Sequence, residues 1–145
     1  MSQRIIFMNE NDVLSVVVPT SEWTGTMFEL AERTVPPGVA YDIVDESAIP
    51  GDREFRNGWV KNGSKVDISL AKAKEIVKDR IREERAPELL RLDVAALRAQ
   101  EQGDAAKYDQ IVAEKNALRD ATAHPRIVNA KSIDELRGLT LSDVK

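Results

Sequence analysis

The chain has no cysteine and only one histidine, His124, in 145 residues. Without thiols there is neither a disulfide framework nor a thiolate zinc site. With one imidazole, a metal centre would have to be built from carboxylates alone. The pairs Asp45-Glu46 and Asp52-Glu54 come nearest, and neither falls in the twelve-residue calcium-loop pattern. There is no G-x-S-x-G nucleophile elbow and no glycine-rich phosphate loop, since Gly51, Gly58 and Gly63 are scattered. No apolar run approaches the roughly 18 residues of a membrane span. The run at 13–18 (VLSVVV) is too short for a secretion signal and lacks its basic flank. The expectation is a soluble chain made in a cytosol, with no catalytic residues, cofactor, metal or membrane partner.

Aromatic residues are also scarce, at 5%, but the apolar fraction of 42% supports a core, and the 32% of charged residues are nearly balanced. The net charge of −4 is unevenly placed: residues 1–66 carry six Lys and Arg against ten Asp and Glu, and residues 67–145 carry fifteen of each. An acidic half and a neutral half lack the net basic face that phosphate binding needs, which argues against nucleic acid. The densest basic run, over 72–85, is interleaved with acids. It reads as a solvated helix face with i,i+3 pairs such as Glu75 with Lys78 and Asp79 with Arg82.

Residues 4–8 (RIIFM) and 13–18 are rich in apolar and β-branched side chains and flank Asn9-Glu10-Asn11-Asp12, a turn cluster, so they predict a β-hairpin ended by Pro19. A short helix follows over 26–33, with Thr24 or Thr26 as cap and Met27, Leu30 and Ala31 on one face. A third strand follows over 39–44. Asn62-Gly63 is a strong turn signal. Phe55 and Trp59 are the large anchors of this region. They read either as a plug at the base of the head or as an aromatic patch for a partner.

From Asp67 or Ser69 a long helical pattern begins, with apolar residues at Leu70, Ala73, Val77, Ile81, Leu89, Leu90, Leu92, Val94 and Leu97. Pro87 predicts a kink or break at Arg85-Ala86-Pro87. Gly103 and Asp104 mark a helix end and a new cap, opening a second helix over about 105–121. That helix, some 17 residues or about 25 Å, folds back only as far as Pro87. The apolar stripe over 70–81 must therefore be covered elsewhere, by the β-rich head or by another subunit. Ser132-Ile133-Asp134-Glu135 is a capping box for a last short helix closed by Gly138, and residues 139–145 read as a polar tail. The fold class is α+β: a small β-rich head (1–66; hairpin, short helix, third strand), a long antiparallel helical hairpin (67–122), and a C-terminal loop, short helix and tail (123–145).

Several strings occur together: Arg53-Glu54-Phe55-Arg56-Asn57 with Trp59, Ala71-Lys72-Ala73-Lys74, Leu92-Asp93-Val94, Gly103-Asp104, and Lys115 with Leu118-Arg119-Asp120. Val35-Pro36-Pro37-Gly38-Val39, Ile43-Val44-Asp45 and Glu135-Leu136 accompany them. In these the chain resembles a family of small bacteriophage and prophage proteins encoded among tail and tail-fibre genes. The resemblance implies a non-enzymatic tail-associated role, as a virion component or a fibre-assembly chaperone, located in the virion or in the host cytoplasm during assembly. Its partners would be other phage tail or fibre proteins. The alternative is a head or neck decoration protein that homo-oligomerises through its helical arm. The residues expected at the partner interface are Leu70, Val77 and Ile81 as a seam, with Phe55 and Trp59 at the joint. A third class, a small hydrolase, would have to use His124.

Overall fold

The structure is a computed structural model and describes residues 2–145. It is α+β. In chain order it contains strands β1 (Gln3–Met8) and β2 (Leu14–Val17), helix α1 (Met27–Thr34), and strands β3 (Tyr41–Asp45), β4 (Trp59–Asn62) and β5 (Lys65–Ile68). Helices α2 (Leu70–Glu101), α3 (Ala105–Asp120), α4 (Pro125–Val128), α5 (Ile133–Leu136) and α6 (Leu141–Val144) follow. The chain divides into two compact units, the first ending at Ala73 and the second running over Lys74–Lys145.

In the first unit β1 is the central strand of an antiparallel sheet of order β2-β1-β3. Its register pairs Ile5 with both Val17 and Ile43. Side chains alternate between the faces of a strand, and here both faces are covered. Ile5 and Phe7 pack with Ala31 and Val35 on the α1 side. Ile6 packs with Leu14, Val44 and Trp59, joined by Val66 and Ile68 of the β4-β5 hairpin. This double burial explains why RIIFM is apolar without alternating. The β1–β2 turn is closed by Asn9, whose Oδ1 accepts from the Asn11 and Val13 backbone N–H groups at 2.9 and 3.1 Å. The predicted cap of α1 is Thr26, in a capping box with Glu29.

Strands β4 and β5 were not expected from the sequence beyond their turn. Asn62 pairs with Lys65, so the loop is Gly63-Ser64 rather than Asn62-Gly63. A positive φ of 61° at Gly63 puts glycine at the first loop position, the II′ arrangement. The Ser69 N–H donates to the Gly58 carbonyl at 2.8 Å, and Ser69 Oγ accepts from the Lys72 N–H at 3.3 Å as the helix cap. Lys72 pairs with Asp12 at 3.1 Å. These bonds tie the first turn of α2 to the β-rich unit and place the boundary at Ala73 rather than at residue 66.

In the second unit α2 runs through Pro87 without a break, so of the expected kink or break the break does not occur. Pro87 and Glu83, whose carbonyl loses its partner, both lie on the exposed face, so water can take the place of the missing N–H. The rest of α2 is rich in Ala, Leu, Lys, Arg and Glu, all good helix formers. The turn into α3 is a Schellman closure: Asp104 N–H donates to Ala99 O at 2.9 Å, Gly103 N–H to Gln100 O at 3.1 Å, and Gly103 has φ of 68°. Asp104 then caps α3 through the Lys107 N–H at 3.1 Å. The hairpin is held by Lys115 with Asp93 at 2.5 Å. Its far end is set by Arg85, whose Nη1 donates to the Leu118 and Arg119 carbonyls at 3.2 and 2.9 Å. The shorter leg therefore reaches back to about Arg85, close to the expected point.

Candidate interaction surfaces

The predicted seam is closed within the chain. Val77 and Ile81 are completely buried, and Leu70 is half-buried. The C-terminal segment is fixed along this stretch of α2 by hydrogen bonds. Lys74 Nζ donates to Val128 O at 3.0 Å, Arg80 Nη1 donates to Leu139 O at 2.9 Å, and Glu84 accepts from the Leu141 N–H at 2.6 Å. Residues 139–145 are accordingly not a polar tail. Leu139, Leu141 and Val144 are buried, and Thr140 and Asp143 form a capping box that opens α6. That signal, a Thr followed three residues later by Asp, was present in the sequence.

Phe55 and Trp59 are each only 1% exposed. Trp59 belongs to the core on one face of the three-stranded sheet, so these aromatics plug the head rather than offer a patch. His124 caps α4: its Nδ1 accepts from the Arg126 N–H at 3.1 Å. The expected i,i+3 pairs are present, Glu75 with Lys78 at 3.2 Å and Asp79 with Arg82 at 2.6 Å.

The C-terminal helices are capped by carboxylates held in their charged form. The Lys131 and Ser132 backbone N–H groups donate to Glu135 and hold its carboxyl below the ordinary range. Thr140 does the same for Asp143 through its backbone N–H and its hydroxyl. A carboxylate that accepts backbone N–H bonds is favoured over its neutral form.

The surface without a partner lies elsewhere on α2. Within the hairpin α2 carries two apolar faces. Leu92, Ala96 and Ala99 are buried, as are Ile111 and Leu118 of α3. Leu90, Val94 and Leu97 lie at i, i+4 and i+7, two residues out of phase with the inner set, so they project from the opposite side of the helix. They are 66%, 47% and 57% exposed. Beside Val94 a groove of about 580 Å³ is edged by Arg91, Arg98 and Lys107. Arg91 pairs with Glu88 at 2.9 Å, while Arg98 and Lys107 have no ion pair among the described residues. All three belong to the helical pattern of the sequence, but apolar positions alone do not say which face α3 takes, so the pattern does not separate them from the covered face.

No family model, no curated protein and no solved structure matches the chain.

Proposed function

We propose that this chain is a non-enzymatic, bacteriophage tail-associated protein that binds other tail or fibre proteins through the outer face of its helical hairpin. The observation that carries the binding role is the row of Leu90, Val94 and Leu97, three large apolar side chains in register on a helix face that no described residue covers. An amphipathic helix needs one apolar stripe to join its own fold. A second stripe on the opposite side serves a helix-in-groove or helix-on-helix contact. The tail context rests on the sequence resemblance. The partner's chemistry follows from the rim: an apolar strip flanked by acidic residues would meet Arg98 and Lys107.

The same rim weighs against the homo-oligomeric alternative. In an antiparallel two-fold pairing on this stripe, Arg91 and Arg98 of one copy would lie beside Arg98 and Arg91 of the other. The test is quantitative mass spectrometry of purified phage particles and of isolated fibre-assembly intermediates. Detection in particles supports a virion component residing near the tail fibres, and detection only in intermediates supports a chaperone acting in the host cytoplasm. Absence from both refutes the tail role.

A further inference from the structure

We propose that a cleft in the head, floored by Trp59 and edged by Arg53 and Arg56, binds a carboxylate carried next to an apolar group, at the chain end or on an acidic side chain of a partner polypeptide. This goes beyond the hairpin contact, since it uses a different unit of the chain.

The cleft encloses about 430 Å³. Charge is concentrated there against the trend of its surroundings. Three of the six Lys and Arg of residues 1–66, namely Arg4, Arg53 and Arg56, line it, but only one of the ten acids does, Glu46. Glu46 is already engaged by Arg4 at 2.9 Å. Arg53 and Arg56 have no carboxylate partner among the described residues. Both guanidinium groups lie over the Trp59 ring, at 5.9 and 4.6 Å from its centroid. Two like charges thus lie over the same ring, and the Arg56 side chain is pushed below its ordinary pKa by burial and then by the charge of Arg53. An anion beside them offsets the repulsion and favours the charged form of Arg56.

The hydrogen-bond inventory points the same way. Arg56 Nη2 donates to Leu14 O at 2.9 Å, which fixes the guanidinium plane. Its Nη1 and the indole Nε1 of Trp59 are buried and find no acceptor among the described residues. Buried donors are almost always partnered, and here both unmatched groups are donors on residues that line one cleft. Neither atom is open to solvent, so the guanidinium that an incoming group meets first is that of the exposed Arg53. A planar carboxylate matches a guanidinium edge with two parallel bonds. The remaining walls, Val16, Val18 and Ile49, are apolar and suit a hydrocarbon group beside the carboxylate better than the all-polar surface of a free phosphate.

The experiment titrates the full-length protein with three peptides and inorganic phosphate, following the side-chain resonances of Trp59 Nε1–H and Arg56 Nε–H by NMR. The peptides are N-acetyl-Val-Leu with a free carboxylate, the same peptide as its C-terminal amide, and N-acetyl-Leu-Glu-Leu-amide. Saturable shifts with either carboxylate peptide and none with the Val-Leu amide support the proposal, and the peptide that binds identifies the source. Arg53→Gln, at an exposed position, should weaken that binding roughly tenfold or more, while Arg33→Gln, over Trp23 instead, leaves it unchanged. Equal binding of the Val-Leu amide, binding of phosphate alone, no shift at millimolar peptide, or full affinity in Arg53→Gln overturns it. Arg53→Gln keeps the test decisive should Arg56→Gln fail to fold.

Discussion

Replacing Leu90, Val94 and Leu97 together by Gln should abolish partner binding and leave the fold intact. Fully burying a Leu or Val side chain yields about 1.5–3 kcal/mol. With Leu90 66%, Leu97 57% and Val94 47% exposed, roughly half to two thirds of that gain is still available at each position. The sum is about 2.5–5 kcal/mol, or roughly a hundredfold to a few thousandfold in affinity. For the isolated chain the change should be small. Gln has nearly the helix propensity of Leu and exceeds Val by a few tenths of a kcal/mol, and exposed substitutions usually stay within about 0.5 kcal/mol. The assay has two parts: the melting curve of the purified chain by circular dichroism, and the amount of wild-type or triple-variant chain recovered in particles and assembly intermediates when each complements a deletion. The expected pair of results is an unchanged melting temperature with loss of incorporation. A melting temperature lowered as by a core mutation would show that the stripe is covered within the chain, and unchanged incorporation would show that it is not the contact. Either result refutes the reasoning.

Ile81→Ala should destabilise the chain by about 2–5 kcal/mol, as expected for a fully buried Ile, with no separate effect on partner affinity once folded; denaturant titration measures it. Deleting residues 139–145 removes three buried apolar side chains together with the bonds to Arg80 and Glu84. It should lower the melting temperature by about 10 °C or more, at about 2–4 °C per kcal/mol for a chain of this size. Pro87→Ala should stabilise by about 1–3 kcal/mol, because it restores one backbone bond at an exposed position; a fall in melting temperature would assign Pro87 a packing role. The lowered carboxyl groups of Glu135 and Asp143 add stability that is complete above their ordinary values of 4.5 and 3.8 and is lost as pH falls through the lowered ones. The melting temperature should therefore hold down to about pH 5 and drop in more acid solution, with a smaller drop in Glu135→Gln/Asp143→Asn.

What was legible in the sequence was what short-range chemistry decides. Thr26, Ser69, Asp104 and Ser132 cap the helices they were expected to cap, and Gly103 closes α2 with the backbone geometry that favours glycine. The length of α3 also set how far it could reach along α2, and the Arg85 bonds bear that out. What was not legible depends on contacts distant in the chain. Whether the stripe over 70–81 is covered turns on residues some sixty positions later, through pairs such as Arg80 with Leu139. The three arginines of the cleft come from β1 and from the segment before β4, and nothing local in Arg53-Glu54-Phe55-Arg56 says that Arg4 will join them.

The relocation of the exposed surface along α2 has a consequence for how the chain presents itself. A proximal seam held shut by its own C-terminal segment keeps Val77 and Ile81 out of reach, so binding does not compete with folding at those positions. The distal hairpin carries the opposite arrangement. Every residue over 101–110 is exposed, and the exposed apolar row of Leu90, Val94 and Leu97 points away from α3. Its stability is local, since it comes from the inner Leu92, Ala96 and Ala99 face, the Lys115 pair and the Schellman closure. The outer face therefore contributes little to folding, so its apolar character is free to serve a contact. This separation is what lets the triple Gln substitution distinguish binding from stability.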